Sequence, residues 1–233
     1  MAGPRRALGR LLRATFLREG RPRRVPWGLA RGLRLEVDPG APVHVYLGTA
    51  ELELARDLRA LARPGMCCYE VGSHNAYYAL ILARLTGGPV LALDFDESAL
   101  ERIAHNLALN PGPAASIEVV RAYVAHERDP AVGAETLDYL VASGRAPAPG
   151  LLVIDVEGAE ATVLAGAHEV LRRHRPHLIV ETHSQAAEAA CAAQLQTCGY
   201  APPRVRERRR WLAENRRGHN RWLIARGEPG DQR

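Results

Sequence analysis

The chain has 233 residues, 47% of them hydrophobic and 24% charged. These values fit one domain with a sizeable core and exclude a largely disordered chain. All 31 basic residues are arginine and the net charge is +5, set among abundant Ala, Gly and Pro. That pattern reflects GC-rich coding, so the basic balance alone does not indicate a nucleic-acid partner. No uncharged apolar run reaches the roughly 20 residues of a membrane-spanning helix; the longest, Ala76 to Val90, is broken by Arg84 and Gly87-Gly88-Pro89.

Residues 1–25 carry eight arginines, with Leu8, Leu11, Leu12 and Phe16 near helical spacing. A basic arm over residues 1–30 is expected, loosely packed or partly ordered, with contact to an anionic membrane surface as the alternative. Its arginines interrupt the apolar region that a secretory signal needs, so a cytoplasmic protein is expected. Leu33 to Val37 and Val43 to Tyr46 alternate apolar and polar residues around Pro39-Gly40, which predicts a β-hairpin. Residues 50–63 read as a helix stopped by Pro64-Gly65.

From Cys67 the pattern switches repeatedly between strand and helix. Strands are predicted at Cys67–Val71, Val90–Leu93, Ile117–Val120, Leu151–Asp155 and Leu178–Val180, with a last one at Arg221–Ala225. Helices are predicted at Ala76–Leu85, Glu97–Leu109 with Asp96 as N-cap, Thr136–Val141, Ala161–Arg173 and Gln185–Cys198. Short apolar strands alternating with helices imply strands buried on both faces. The expected fold class is therefore α/β: a Rossmann-like, doubly wound, mostly parallel sheet with an N-terminal helix and hairpin extension. One domain is expected over residues 31–228, followed by a flexible tail at 229–233. Cys67, Cys68, Cys191 and Cys198 form no zinc-type spacing and read as small core residues in a reducing compartment.

In this class ligands sit beyond the carboxyl ends of the strands. Those ends read Glu70-Val71-Gly72-Ser73-His74-Asn75-Ala76, Asp94-Phe95-Asp96, Asp155-Val156-Glu157-Gly158-Ala159-Glu160 and Glu181-Thr182-His183-Ser184. Four carboxylate-bearing ends suit a cation better than a phosphate. Only Gly72 remains of a G-x-G-x-x-G dinucleotide fingerprint, which argues against the alternative of an NAD-type oxidoreductase. S-adenosylmethionine combines a ribose with a sulfonium and an ammonium group and fits better. In that reading Glu70 serves its amino-acid end, Gly72 allows close backbone approach, Asp94 takes the ribose hydroxyls and Phe95 offers apolar surface to the adenine. Ser73 and Asn75 complete the cofactor loop.

Between roughly residues 40 and 226 the sequence resembles the FkbM-type methyltransferases, of the class I S-adenosylmethionine-dependent superfamily. Ile154-Asp155-Val156-Glu157-Gly158-Ala159-Glu160, followed by Val163-Leu164 and Gly166-Ala167, is similar to the family's D-V-E-G-x-E signature. Glu70-Val71-Gly72-Ser73-His74 is similar to its D-V-G-A-N/H loop. Asp94-Phe95-Asp96 with Asn106 and Asn110 is similar to its E-P-x segment and downstream asparagines. Thr136-Leu137-Asp138 and Glu181-Thr182-His183 match its T-L-D and E-x-H. Glu70, Phe95 and Ala76 stand where the family usually has Asp, Pro and Gly. The resemblance implies methyl transfer from S-adenosylmethionine, most often to a hydroxyl on a glycan, lipid or secondary metabolite.

An acceptor hydroxyl must lose a proton, so a base is needed beside the methyl group. Asp155 is the first candidate, with His183 and Glu181 next, a neutral His183 being suited to accept a proton. Glu157 and Glu160 read more simply as acids favoured in a helix's first turn. The alternative in which Asp155, Glu157, Glu181 and His183 ligate a metal has no diagnostic spacing, and no metal is expected. Arg204, Arg206, Arg208, Arg209, Arg210, Arg216, Arg217 and Arg221 form the densest charge on the chain. They read as a solvated strand–loop–strand edge; the alternatives are an acidic acceptor, or RNA or another anionic surface bound by a non-catalytic protein.

Overall fold

The computed structural model describes residues 21–38, 43–208 and 219–228. In chain order the elements are strands β1 (Pro22–Arg24) and β2 (Arg34–Glu36), helix α1 (Val43–Leu47), a 3-10 turn (Leu52–Leu54), α2 (Ala55–Leu61), β3 (Cys68–Val71), α3 (Tyr77–Thr86), β4 (Val90–Asp94), α4 (Glu97–Ala108) and α5 (Pro111–Ala114). Then follow β5 (Ile117–Arg121), β6 (Tyr123–Val124), β7 (Ala134–Glu135), α6 (Leu137–Ala142), β8 (Leu151–Ile154), α7 (Glu160–Ala165), α8 (His168–His174), β9 (His177–Thr182), α9 (Gln185–Thr197), β10 (Arg204–Glu207) and β11 (Arg221–Ala225).

A seven-stranded sheet runs β10-β11-β9-β8-β3-β4-β5. β3, β4, β5, β8 and β9 are parallel, and β11 joins β9 antiparallel. Alternate residues of each central strand enter opposite cores. Cys68, Val90, Ala92, Leu151 and Val153 pack with α3 on one side. Tyr69, Val71, Leu91, Leu152 and Ile154 pack with α6, α7, α8 and α9 on the other. This two-sided burial is why the strands read as continuous apolar runs. The exception is β5, predicted to be buried on both faces. It is the sheet edge and is largely exposed, Val119 included. From β3 the chain first winds outward through β4 and β5, then returns to β8 and β9. The switch point between β3 and β8 opens a crevice at the strands' carboxyl ends.

Three sequence expectations are corrected. The hairpin does not form. Arg34–Glu36 pairs instead with Pro22–Arg24, a strand inside the stretch expected to be an arm. Val43–Leu47 is helical; Tyr46 is buried, and its hydroxyl accepts the Asp38 amide at 2.7 Å. A four-residue alternation fits one helical turn as well as a strand, and tertiary burial decided between them. The expected long helix over Ala161–Arg173 is two helices. A Cβ on Gly166 would lie 1.9 Å from the Ala125 carbonyl oxygen, so the chain turns there. Asp138 then caps α8 by accepting the Glu169 and Val170 amides. The basic N-terminal helix falls on residues outside the described ones.

Asn106 on α4 and Asn110 just beyond its end clamp the N-terminal ribbon. Asn106 Oδ1 accepts the Glu36 amide at 2.8 Å, and Asn110 Oδ1 accepts the Arg34 amide at 2.9 Å. Asn110 Nδ2 returns a bond to the Arg34 carbonyl at 2.7 Å. Together they serve β2 as a neighbouring strand would. Asn110→Ala is expected to cost about 2 kcal/mol, because it leaves an amide and a carbonyl unpaired in a partly buried place. Thermal unfolding should shift down by several degrees; an unchanged midpoint would show that water replaces the clamp.

Candidate active site

The crevice is an open cleft of about 740 Å³, lined among others by Gly72, Asp94, Phe95, Asp155, Glu181 and His183. Four strand ends therefore deliver six of the nine sequence-predicted site residues to one place. Glu70, Ser73 and Asn75 are not on its wall.

Gly72 ends β3 with φ +84°, and a Cβ there would meet the Asp155 carbonyl oxygen at 1.9 Å. The glycine is thus required by the approach of the β8 end, whatever the cleft holds. The loop behind it is tied down from inside. Glu70, almost fully buried, accepts the Tyr78 and Ala79 amides, each at 3.0 Å, and bonds Ser73 Oγ. Burial pushes its carboxyl up to about 8, against the pull of Ser73 and the Ala79 amide. Asn75 Oδ1 accepts the Tyr77 amide. These three side chains build the first turn of α3 rather than the cleft wall. Ala76, in the position of the family's glycine, takes the left-handed conformation at φ 61° and is wholly buried, a backbone state that costs an L-residue roughly 1–2 kcal/mol.

Asp94 stands at the end of β4 and is fixed by three backbone amides. Oδ2 accepts from His74 at 2.8 Å, and Oδ1 accepts from Phe95 at 2.8 Å and Asp96 at 3.0 Å. Its carboxylate is thereby held on the cleft wall beside the glycine loop. Phe95 is exposed and meets Tyr123 edge-on, ring centroids 5.3 Å apart. Two exposed aromatic rings in contact make an apolar shelf next to Asp94. Tyr123 had no signal in the sequence, since the two residues after β5 form no motif.

Across Gly72 lies an acid–imidazole cluster. His183 Nδ1 is 2.5 Å from Glu160 Oε1, while Nε2 is 3.7 Å from Asp155 Oδ1 and 3.8 Å from Glu181 Oε1. Glu181 is bound from below by Trp222 Nε1 at 2.9 Å, Asn220 Nδ2 at 2.5 Å and Arg208 Nη2 at 3.1 Å. Arg208 also reaches Glu51 at 3.0 Å and lies over the Trp222 ring. The Glu160 hydrogen bond first, then Asp155 and Glu181, raise the pKa of His183, against the opposing effect of burial. These carboxylates thus move the imidazole's titration up from its ordinary value. Burial and then Glu181 raise Asp155, with His183 and Arg208 pulling it back. Burial and the neighbouring Glu181 and Asp155 raise Glu51.

One ligand atom each from Asp155, Glu181 and His183 lies within 4.8 Å of the others. The Glu181 oxygen that faces His183 already accepts from Arg208 and Asn220, so much of its charge is met by this chain. The arginine cluster is likewise turned on the chain's own acids. Arg204 and Arg206 bind Asp57, Arg208 binds Glu51 and Glu181, and Arg221 binds Glu188 and Glu207. These pairs weigh against an anionic ligand at β10 and β11. Arg209, Arg210, Arg216 and Arg217 lie outside the described residues. All four cysteines are buried thiols, and burial raises Cys67 and Cys191 to about 12.

The family model for the methyltransferase FkbM domain matches residues 67–219. The chain belongs to the FkbM methyltransferase family. Its fold is similar to that of solved structures of low sequence identity. An FkbM methyltransferase from Methylobacillus flagellatus KT is similar with a TM-score of 0.55 and 16% identity, over 79% of this chain and 55% of that one. A SAM-dependent O-methyltransferase from Thermotoga maritima gives 0.56 and 15%, over 77% and 65%. Precorrin-6y C5,15-methyltransferase from Geobacter metallireducens GS-15 gives 0.52 and 14%, over 76% and 88%. No curated protein sequence matches. In this FkbM domain the D-V-E-G-x-E-like segment and the E-T-H segment meet through the Glu160–His183 bond.

Sequence reasoning missed Glu51 and Asn220, and read Arg208 and its neighbours only as a charged edge. They arrive from outside the motifs, and Glu51 and Arg208 are 157 positions apart. Glu160 was visible, but only as an acid at a helix start.

Proposed function

We propose that this FkbM-family chain transfers the methyl group of S-adenosylmethionine to a hydroxyl of a glycan, lipid or secondary metabolite. The observation that carries the reading is the division of the cleft about Gly72. A fixed carboxylate, Asp94, and an aromatic shelf lie on one side, and an imidazole among carboxylates lies on the other. The cleft volume is within the range of about 300–1,000 Å³ usual for small-molecule sites. Its four acidic lining residues, Asp94, Asp155, Glu157 and Glu181, with no arginine among the lining ones, suit a cationic cofactor.

S-adenosylmethionine, when bound, supplies an electrophilic methyl group on a good leaving group. The chain's own residues then position and deprotonate the acceptor. Asp94 would accept from the ribose hydroxyls, and Phe95 with Tyr123 would cover the adenine. The backbone at Gly72 would lie against the cofactor. Glu70 would act through the loop that it braces rather than by contact. Asp155 and His183 face the acceptor side, where either can take up the acceptor's proton; Glu181 stands beside His183 but is committed to its three donors. No helix among the described residues is long and apolar enough to cross a membrane.

Calorimetric titration of S-adenosylhomocysteine into the wild type and Asp94→Ala tests this. Saturable binding to the wild type, weakened at least tenfold in the variant, is expected, since a charge-assisted hydrogen-bond pair to the ribose is worth about 1.5–3 kcal/mol. Absence of binding to folded wild type would sink the reading. Equal affinity in both proteins would remove Asp94 from the site.

A further inference from the structure

We infer that Glu160 is a positioning residue, which holds His183 with Nδ1 protonated so that Nε2 faces the cleft as the acceptor of the substrate's proton. This rests on the methyl-transfer reading above. The argument begins with burial: the Glu160 side chain has no exposure, and its Oε1 takes both His183 Nδ1 at 2.5 Å and the Gly158 amide at 3.2 Å. Oε2 has no hydrogen-bond partner among the described residues. The imidazole is therefore the main group that meets the charge of a carboxylate shut away from water. Burial pushes Glu160 up, and the His183 bond with the Gly158 amide more than offsets it, so the carboxyl stays below its ordinary value.

An ionised carboxylate only accepts, so the nitrogen opposite it must carry the hydrogen. That fixes the tautomer and leaves the lone pair on Nε2. Nε2 is beyond hydrogen-bond reach of Asp155 and Glu181, at 3.7 and 3.8 Å, and His183 lines the cleft. The groups facing the imidazole are thus Glu160 from α7, Asp155 after β8 and Glu181 on β9, with Arg208 and Glu51 behind Glu181. In the reaction the acceptor O–H bond breaks and its proton passes to Nε2. The oxygen's electron pair forms the bond to the methyl carbon while the carbon–sulfur bond breaks and leaves a neutral thioether. The imidazolium then releases the proton to water, and the Nδ1–H···Glu160 bond persists throughout.

A purely structural Glu160, present only as an acid at the start of α7, would leave the state of His183 unchanged when neutralised. Nitrogen-15 NMR of histidine-labelled protein separates the two, with His183→Asn identifying the signal. In the wild type we expect the Nδ1–H form of neutral His183 and a titration above the ordinary histidine value. In Glu160→Gln the titration should move down by about one pH unit or more, and the Nδ1–H preference should weaken. An Nε2–H tautomer in the wild type overturns the inference without any variant. An unchanged titration in folded Glu160→Gln overturns it as well. If Glu160→Gln does not fold, Glu160→Asp keeps the charge but withdraws it by one carbon, and the same downward direction is required. Cofactor titration into the wild type is read separately: its failure removes the methyl-transfer role, while the tautomer still decides whether Glu160 sets the imidazole.

Discussion

Gly72→Ala is expected to lose more than about 3 kcal/mol of stability. The added methyl would stand 1.9 Å from the Asp155 carbonyl oxygen, 2.9 Å from its carbon and 3.0 Å from a Val156 methyl, at a φ of +84°. The first two contacts are backbone, so no rotamer change relieves them. Relief requires β3 and β8 to separate at their carboxyl ends, where the Asp155 amide bonds the Val71 carbonyl at 2.9 Å. The left-handed backbone adds its own cost for any residue with a Cβ. Chemical denaturation followed by circular dichroism should show a lower midpoint, and S-adenosylhomocysteine should cease to bind. A midpoint within 1 kcal/mol of the wild type would mean that the two strand ends are not held in contact, and the cleft described here would be wrong in its centre.

Glu181→Ala is expected to cost about 3–5 kcal/mol, the scale for breaking a buried charge pair from one side. The carboxylate is nearly fully buried, and three donors converge on it from Trp222, Asn220 and Arg208. Removing it leaves an indole N–H, an amide and a guanidinium facing a void, with Arg208 kept by Glu51, Asn220 and the face of Trp222. Glu181→Gln keeps the volume and one acceptor oxygen, and should cost less than half as much. Urea denaturation of the three proteins checks the order wild type, Gln, Ala. A tolerated Ala would show that water reaches the cluster, and His183 would then lack the fixed surroundings its proton chemistry requires.

The five parallel strands, β11, most helices and the location of the cleft were legible in the sequence, because each rests on a local period or cap. Asp96, Thr136 and Ser184 announce their helices by accepting the amides of Ala99, Tyr139 and Ala187. Burial on both faces makes β3, β4, β8 and β9 read as apolar runs, and the residue after each run marks the cleft. The failures are equally specific. Val43 to Tyr46 alternates like a strand, yet Tyr46 is captured by Asp38. Gly166 sits within an unbroken helical pattern, but Ala125 passes too close for a straight helix. Asn106 and Asn110 read only as a match to the family's downstream asparagines, and their side chains hold β2.

By itself the sequence determined the fold class, the family and which strand ends carry carboxylates, since periodicity and motif order are properties of neighbours along the chain. Only the tertiary structure decided what those carboxylates do. Glu70 turns inward to the start of α3, Asp94 is pinned facing the cleft, and Glu160 binds His183 at Nδ1 while Glu181 stands 3.8 Å from Nε2. The arginines that dominate the sequence pair with Asp57, Glu51 and Glu188, each distant along the chain. Charge pairing and burial depend on distance in space, and that distance exists only once the sheet has brought its ends together.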